Sequence, residues 1–197
     1  MTEVPAQRLK QAKRALRREI LAERDRVPEG ERAAMSAAIA DRLLAMDELS
    51  DAKTVMAFWS FGSEVDTIPL LERLEVAGAQ VALPRIEDHD VEPIAYAAGD
   101  PLSETSFGAR EPASGRRLEP SELDVVVVPG VAFDRSGGRV GYGAGFYDRL
   151  LGRVRDGTFA VAVAFGLQVV DRVPAGGTDR RVDAVVTERE VIRAVER

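Results

Sequence analysis

At 197 residues, with 45% apolar and 30% charged side chains, the chain can build one sizeable core and is too apolar to stay disordered. A formal net charge of -6 opposes a whole-domain nucleic-acid footprint, and the absence of cysteine excludes disulfides, thiolate zinc sites and a cysteine nucleophile. Residues 1–9 carry no apolar run of signal-peptide length, and no stretch approaches the roughly 18 apolar residues of a membrane span. A cytoplasmic protein without membrane or nucleic-acid partners is therefore expected.

In 7–26, Leu9, Ala12, Leu16 and Ile20 recur three or four apart among Lys10, Lys13, Arg14, Arg17, Arg18 and Arg24, which predicts an amphipathic basic helix. Val27-Pro28-Glu29-Gly30 breaks it, and 33–46 predicts a second helix. The apolar run 54–59 predicts a strand buried on both faces. A helix over 67–77 and a strand over 80–83, with Gly78 at the helix exit, complete a parallel unit with a right-handed crossover. A further strand is expected in 91–97, whereas 98–120 is rich in glycine, proline and serine and reads as a long loop. The strongest strand, 124–128, is closed by Pro129-Gly130; a loop over 134–138, a helix over 146–153, a strand over 159–165 and a last strand over 184–186 follow. The alternation predicts one α/β domain: a mostly parallel central sheet flanked by helices, with the basic helix added at the N-terminal side.

Three glycines stand at alternate positions in Arg139-Val140-Gly141-Tyr142-Gly143-Ala144-Gly145-Phe146-Tyr147-Asp148-Arg149, just ahead of a predicted helix. Glycine lets the backbone turn its N–H groups toward an anion, and a helix start adds partial positive charge, so the loop is either a phosphate cradle or a structural turn. Phe146 breaks the dinucleotide fingerprint, and no G-K-[ST] follows to make a P-loop. Asp148 stands where a carboxylate either favours a helix start or holds a metal. Asp183, before the last predicted strand, is a second candidate; two carboxylates, phosphate oxygens and water would suit Mg²⁺. Lys13 and Arg17 share one helix face, with Arg14 beside them, and form either a grip for a polyphosphate or a solvated face. Asp66 reads as a helix cap, which leaves Glu64, with no evident local partner, as the better ligand candidate. Trp59 reads as core or pocket wall, and His89 is given no role.

Taken together, these residues resemble the 5-formyltetrahydrofolate cyclo-ligase, or methenyltetrahydrofolate synthetase, family. The resemblance runs through Lys13-Arg14-Ala15-Leu16-Arg17, Glu64-Val65-Asp66-Thr67, Pro84-Arg85, Gly108 and Glu111-Pro112. It continues through Pro129-Gly130-Val131-Ala132-Phe133-Asp134, the loop 139–149, and 179–188, which holds Val182-Asp183 and Val186-Thr187-Glu188. It implies ATP- and Mg²⁺-dependent closure of 5-formyltetrahydrofolate to 5,10-methenyltetrahydrofolate with release of ADP and phosphate, through a phosphorylated formyl group, in a monomer. By the same resemblance, Lys13, Arg14, Arg17, Arg139, Gly141, Tyr142, Gly143, Ala144, Gly145, Phe146, Tyr147 and Asp148 would bind ATP. Trp59, Glu64 and Tyr147 would contact the folate, Tyr147 and Arg149 would serve catalysis, and Asp148 and Asp183 would hold Mg²⁺. Tyr142 and Ala144 stand where some relatives carry a basic residue, and Thr178 where many carry histidine. Two other readings stay open: a non-catalytic folate or nucleotide sensor, and a sugar-phosphate isomerase or CoA-transferase-like enzyme of similar architecture.

Overall fold

A computed structural model of the chain describes residues 6–88, 90–105 and 108–194; His89 lies outside them. The chain runs through α1 (Ala6–Arg24), α2 (Glu29–Leu44), α3 (Asp47–Ser50), β1 (Thr54–Met56), α4 (Ile68–Val76), β2 (Gln80–Glu87) and β3 (Asp90–Ala95). A hairpin of β4 (Leu102–Glu104) and β5 (Arg110–Pro112) follows, then β6 (Val125–Val128), β7 (Ala132–Asp134), β8 (Arg139–Val140) and α5 (Phe146–Leu151). The remaining strands are β9 (Phe159–Val163), β10 (Val169–Val170), β11 (Ala184–Val186) and β12 (Val191–Arg193). No described helix is long and apolar enough to cross a membrane.

Seven strands form the main sheet in the order β12-β11-β9-β6-β1-β2-β3. β11, β9, β6, β1 and β2 are parallel, while β3 and β12 close the two edges antiparallel. The central strands are rich in valine because both faces are covered, and alternate residues go to opposite sides. Val55, Val125, Val127, Val161 and Val163 join Ile39 and Leu43 of α2 and Leu71 of α4 in one core. Met56, Val126, Val128, Ala160 and Ala162 join Leu123 and Leu150 in the other.

A separate sheet of β10, β7 and β8 carries a third, smaller core. There Val131, Ala132, Val140 and Val173 pack around Ile20, with Leu16 and Leu21 beside it, so this small sheet is what docks the basic helix. The region expected to be a loop, 98–120, contains the β4–β5 hairpin instead, anchored where Leu102 packs on the main core. The expected last strand at β11 is followed by one more, β12. β1 is shorter than its apolar run, because Phe58 and Trp59 leave the sheet to build what lies beyond its end.

Candidate active site

β1 and β6 point the same way, and the residues that follow them, Phe58 to Glu64 and Pro129, open onto one cleft of about 1730 Å³. That is room for two ligands of ordinary cofactor size. Lys13, Arg14 and Arg17 of α1 form one wall; the glycine loop and the start of α5 form another. Trp59, Phe61, Glu64, Pro84, Ile86 and Glu111 line an apolar arm, and 177–180 bridge the two walls, Asp179 on Lys13 and the Arg180 N–H on Asp148.

The loop is shaped by its glycines. Gly143 has φ 116° and Gly145 φ 70°, left-handed values that side chains resist, and Gly145 is the residue from which α5 starts. Arg17 Nε donates to the Gly141 carbonyl at 2.8 Å, fixing the base of the loop to α1. Lys13 pairs with Asp179 at 2.5 Å, and Asp179 also accepts from the Gly176 N–H at 2.6 Å. Arg14 is exposed on the rim. Phe146 lies beneath the Arg149 guanidinium, 5.3 Å from it, while Arg149 donates to Asp90 at 2.6 Å and to the Ala144 carbonyl at 3.0 Å. Arg149 thus braces the outside of the loop as well as lining the cleft.

Arg139, whose side chain is only 5% exposed, donates through Nη2 to Asp148 Oδ1 at 2.8 Å; the Arg180 N–H donates to the same oxygen at 3.0 Å. Arg139 Nε and the Tyr147 hydroxyl are buried with no hydrogen-bond partner among the described residues. Orphaned polar atoms of this kind are uncommon in folded proteins, and here both belong to residues that line the cleft. Burial, and then the nearby Glu64 carboxylate, push the Tyr147 phenol well above its ordinary value, against the pull of Arg139. At neutral pH Tyr147 is a neutral hydrogen-bond donor.

Glu64 is 8% exposed. Its Oε1 accepts from the Tyr142 hydroxyl at 2.6 Å and its Oε2 from the Phe61 N–H at 3.1 Å. Burial raises its pKa; those two donors and Arg24 oppose the rise without cancelling it. Glu64 therefore does have local partners, contrary to expectation. Trp59 stands edge-on to Tyr96, ring centroids 6.2 Å apart, with Arg110 over its face.

The expected pairing of Asp148 with Asp183 is not met. Asp183 sits beside the beginning of β9, where its Oδ2 accepts from the Ala160 N–H at 2.7 Å, and it does not line the cleft. Asp179 lines it instead, next to the Arg180 N–H that reaches Asp148. Among the described residues no cluster of three or more histidines and acids could hold a metal by itself. Mg²⁺ usually takes one or two carboxylates and completes its shell with phosphate and water; of Asp148, Asp179 and Asp183 the first two line the cleft, Asp179 with both carboxylate oxygens on Lys13. Sequence reasoning also passed over Arg24 and Ser63, which stand behind Glu64. The signal for Arg24 was present: it falls four residues after the buried Ile20, on the stripe of Lys13 and Arg17.

The profile of the 5-formyltetrahydrofolate cyclo-ligase family matches residues 9–188. The 5-formyltetrahydrofolate cyclo-ligase of Escherichia coli is 37% identical over 158 residues, covering 77% of this chain and 87% of that one. The Mycolicibacterium smegmatis enzyme of the same name is 34% identical over 192 residues, covering 93% and 97%. The solved structure of Aquifex aeolicus 5,10-methenyltetrahydrofolate synthetase superposes with a TM-score of 0.83 at 34% identity, covering 94% of each chain. With the cleft, the glycine loop and the α1 cations in place, the matched span shows that this chain belongs to the 5-formyltetrahydrofolate cyclo-ligase family.

Proposed function

We propose that the chain closes 5-formyltetrahydrofolate to 5,10-methenyltetrahydrofolate with MgATP as co-substrate, as a cytoplasmic monomer. One observation carries this reading: a single cleft joins a cationic, glycine-built end to an apolar arm with a buried carboxylate. The first end suits a polyphosphate, the second a flat, N–H-bearing heterocycle.

Lys13, Arg14, Arg17 and Arg139 offset the charge of the ATP phosphates, and the loop from Gly141 to Phe146 follows their outline. Glu64 accepts from the pterin N–H groups, with Trp59 as an apolar wall. Mg²⁺, when bound, neutralises phosphate charge, and Asp148 and Asp179 are the residues that would hold it. Asp179 is put forward in place of Asp183. The formyl oxygen attacks the γ-phosphorus and ADP leaves; N10 then attacks the activated formyl carbon, and expulsion of phosphate with loss of the N10 proton yields the methenyl product. Such a sequence asks the protein for positioning and charge neutralisation rather than for a covalent nucleophile. Tyr147, neutral and without a hydrogen-bond partner among the described residues, donates to the formyl or phosphoryl oxygen. Arg149 acts by holding Ala144 and the outer side of the loop.

Purified protein with 5-formyltetrahydrofolate and MgATP is expected to generate methenyl absorbance and one ADP per product, and to stop in excess chelator. Ligand binding without product would make the chain a sensor; turnover without ATP would move it to the isomerase or transferase class.

A further inference from the structure

Tyr142 belongs to the glycine loop, yet its side chain does not face the phosphate end of the cleft. Its hydroxyl donates to Glu64 Oε1 at 2.6 Å and accepts from Arg24 Nη2 at 3.1 Å, and its ring lies 5.8 Å from that of Phe61. Arg24 is 4% exposed and is itself held by the Ser63 hydroxyl, which accepts from Nε at 3.0 Å and donates to Asp25. The loop is thus tied to α1 twice, by Arg17 on the Gly141 carbonyl and by Arg24 on Tyr142. The second tie ends on the carboxylate of the apolar arm.

We infer that Tyr142 is a positioning residue that couples the two ligand sites, holding Glu64 in its folate-accepting orientation from the same glycine loop that takes the nucleotide. The inference rests on the function proposed above and adds to it a residue role and an energetic link. A carboxylate offers about four lone-pair sites. Phe61 and Tyr142 use one on each oxygen, which leaves one on each for a pair of ligand N–H groups. Losing the Tyr142 donor frees the Glu64 side chain to rotate and removes a bond that favours its charged, accepting form. Because the donor of that bond is a side chain carried by the loop, whatever orders the loop also orders Glu64. Linkage requires the converse: folate must strengthen nucleotide binding by the same factor.

The test compares wild type with Tyr142→Phe, which keeps the ring and removes only the hydroxyl, and with Ser63→Ala, which loosens Arg24 without touching the loop. Binding of 5-formyltetrahydrofolate is titrated by calorimetry with and without a non-hydrolysable ATP analogue and Mg²⁺, and KM and kcat are measured for both substrates. Wild type is expected to bind folate at least ~5-fold tighter with the analogue present. Tyr142→Phe should bring that ratio close to one and raise the folate KM by about tenfold, a typical loss for a hydrogen bond to a charged group. Its kcat at saturation should fall less. Ser63→Ala should lower the ratio partway. A merely structural role would change melting temperature and leave the ratio alone. An unchanged ratio in Tyr142→Phe, or a wild-type ratio of one, overturns the coupling. Failure of the functional reading is told apart by the wild type, which would then make no methenyl product at all.

Discussion

Asp148 receives both Arg139 Nη2 and the Arg180 N–H on a single oxygen, so its charge has a structural use even before any ligand binds. A carboxylate at a helix start is ordinarily worth about 0.3–1 kcal/mol. Here Asp148→Asn also weakens the counter-ion of a buried guanidinium, and the expected stability loss is larger, about 1–3 kcal/mol. Turnover should drop further, by about 100- to 1000-fold, the usual effect of removing one charge contact from a transition state. Thermal melts and kcat taken well below the mutant's midpoint separate the two; near-normal kcat would leave Asp148 as a brace for Arg139 alone. The residue scale is also where the sequence is least informative. Asp183 and Asp179 are both late aspartates in one short segment, and which of them reaches the cleft depends on a backbone path that no local periodicity encodes. Tyr142 reads from the sequence only as one more residue of the ATP loop, because its partners, Glu64 and Arg24, lie 78 and 118 positions away. The glycines and Asp148 were legible, since left-handed turns and a helix start are short-range chemistry.

At the scale of elements, α1 carries two patterns at once. Leu16, Ile20 and Leu21 pack it on the small sheet, and Lys13, Arg14 and Arg17 face the cleft from the same helix. Its cations therefore sit on an element held by burial rather than on a free solvated face. Lys13→Ala and Arg17→Ala are expected to raise the ATP KM by about tenfold or more and the folate KM by much less, as an exposed-to-half-buried charge contact would. Steady-state kinetics on both substrates decide it, and a larger effect on folate would return these side chains to a purely structural account. The long helices and the valine-rich parallel strands were readable because their periods are local and repeated. β4, β5 and β12 span three residues each, too few for a period, and exist because a neighbouring strand supplies their hydrogen-bond partners. The extent of β2 escaped for the same reason: its second half continues only because β3 pairs with it from Ala82 through Glu87.

Across the whole molecule, Asp134 joins the small sheet to what surrounds it. It is 4% exposed, and its carboxylate accepts from the N–H groups of Ser136, Gly138 and Val173 and from the Ser136 hydroxyl. Burial opposes its ionisation, yet those donors outweigh burial and its pKa lies below the usual value. A depressed folded-state pKa stabilises the fold above the unfolded value and loses that contribution as pH falls through the folded one. Asp134→Asn should therefore cost about 1–3 kcal/mol at pH 7, and the gap to wild type should narrow as pH drops below about 4. Urea unfolding at several pH values checks it; a gap that stays constant into acid would mean shape, not charge, holds the site.

The ion pair of Lys13 with Asp179 spans 166 residues. The small core that buries Ile20 and holds Leu16 is likewise completed only when Val173 arrives. On a ribosome adding about 5–20 residues per second, that interval is roughly 10–30 s. Until then α1 lacks part of the core that buries Ile20, and Lys13 lacks its carboxylate. The half of the active site made earliest must thus wait for the half made last.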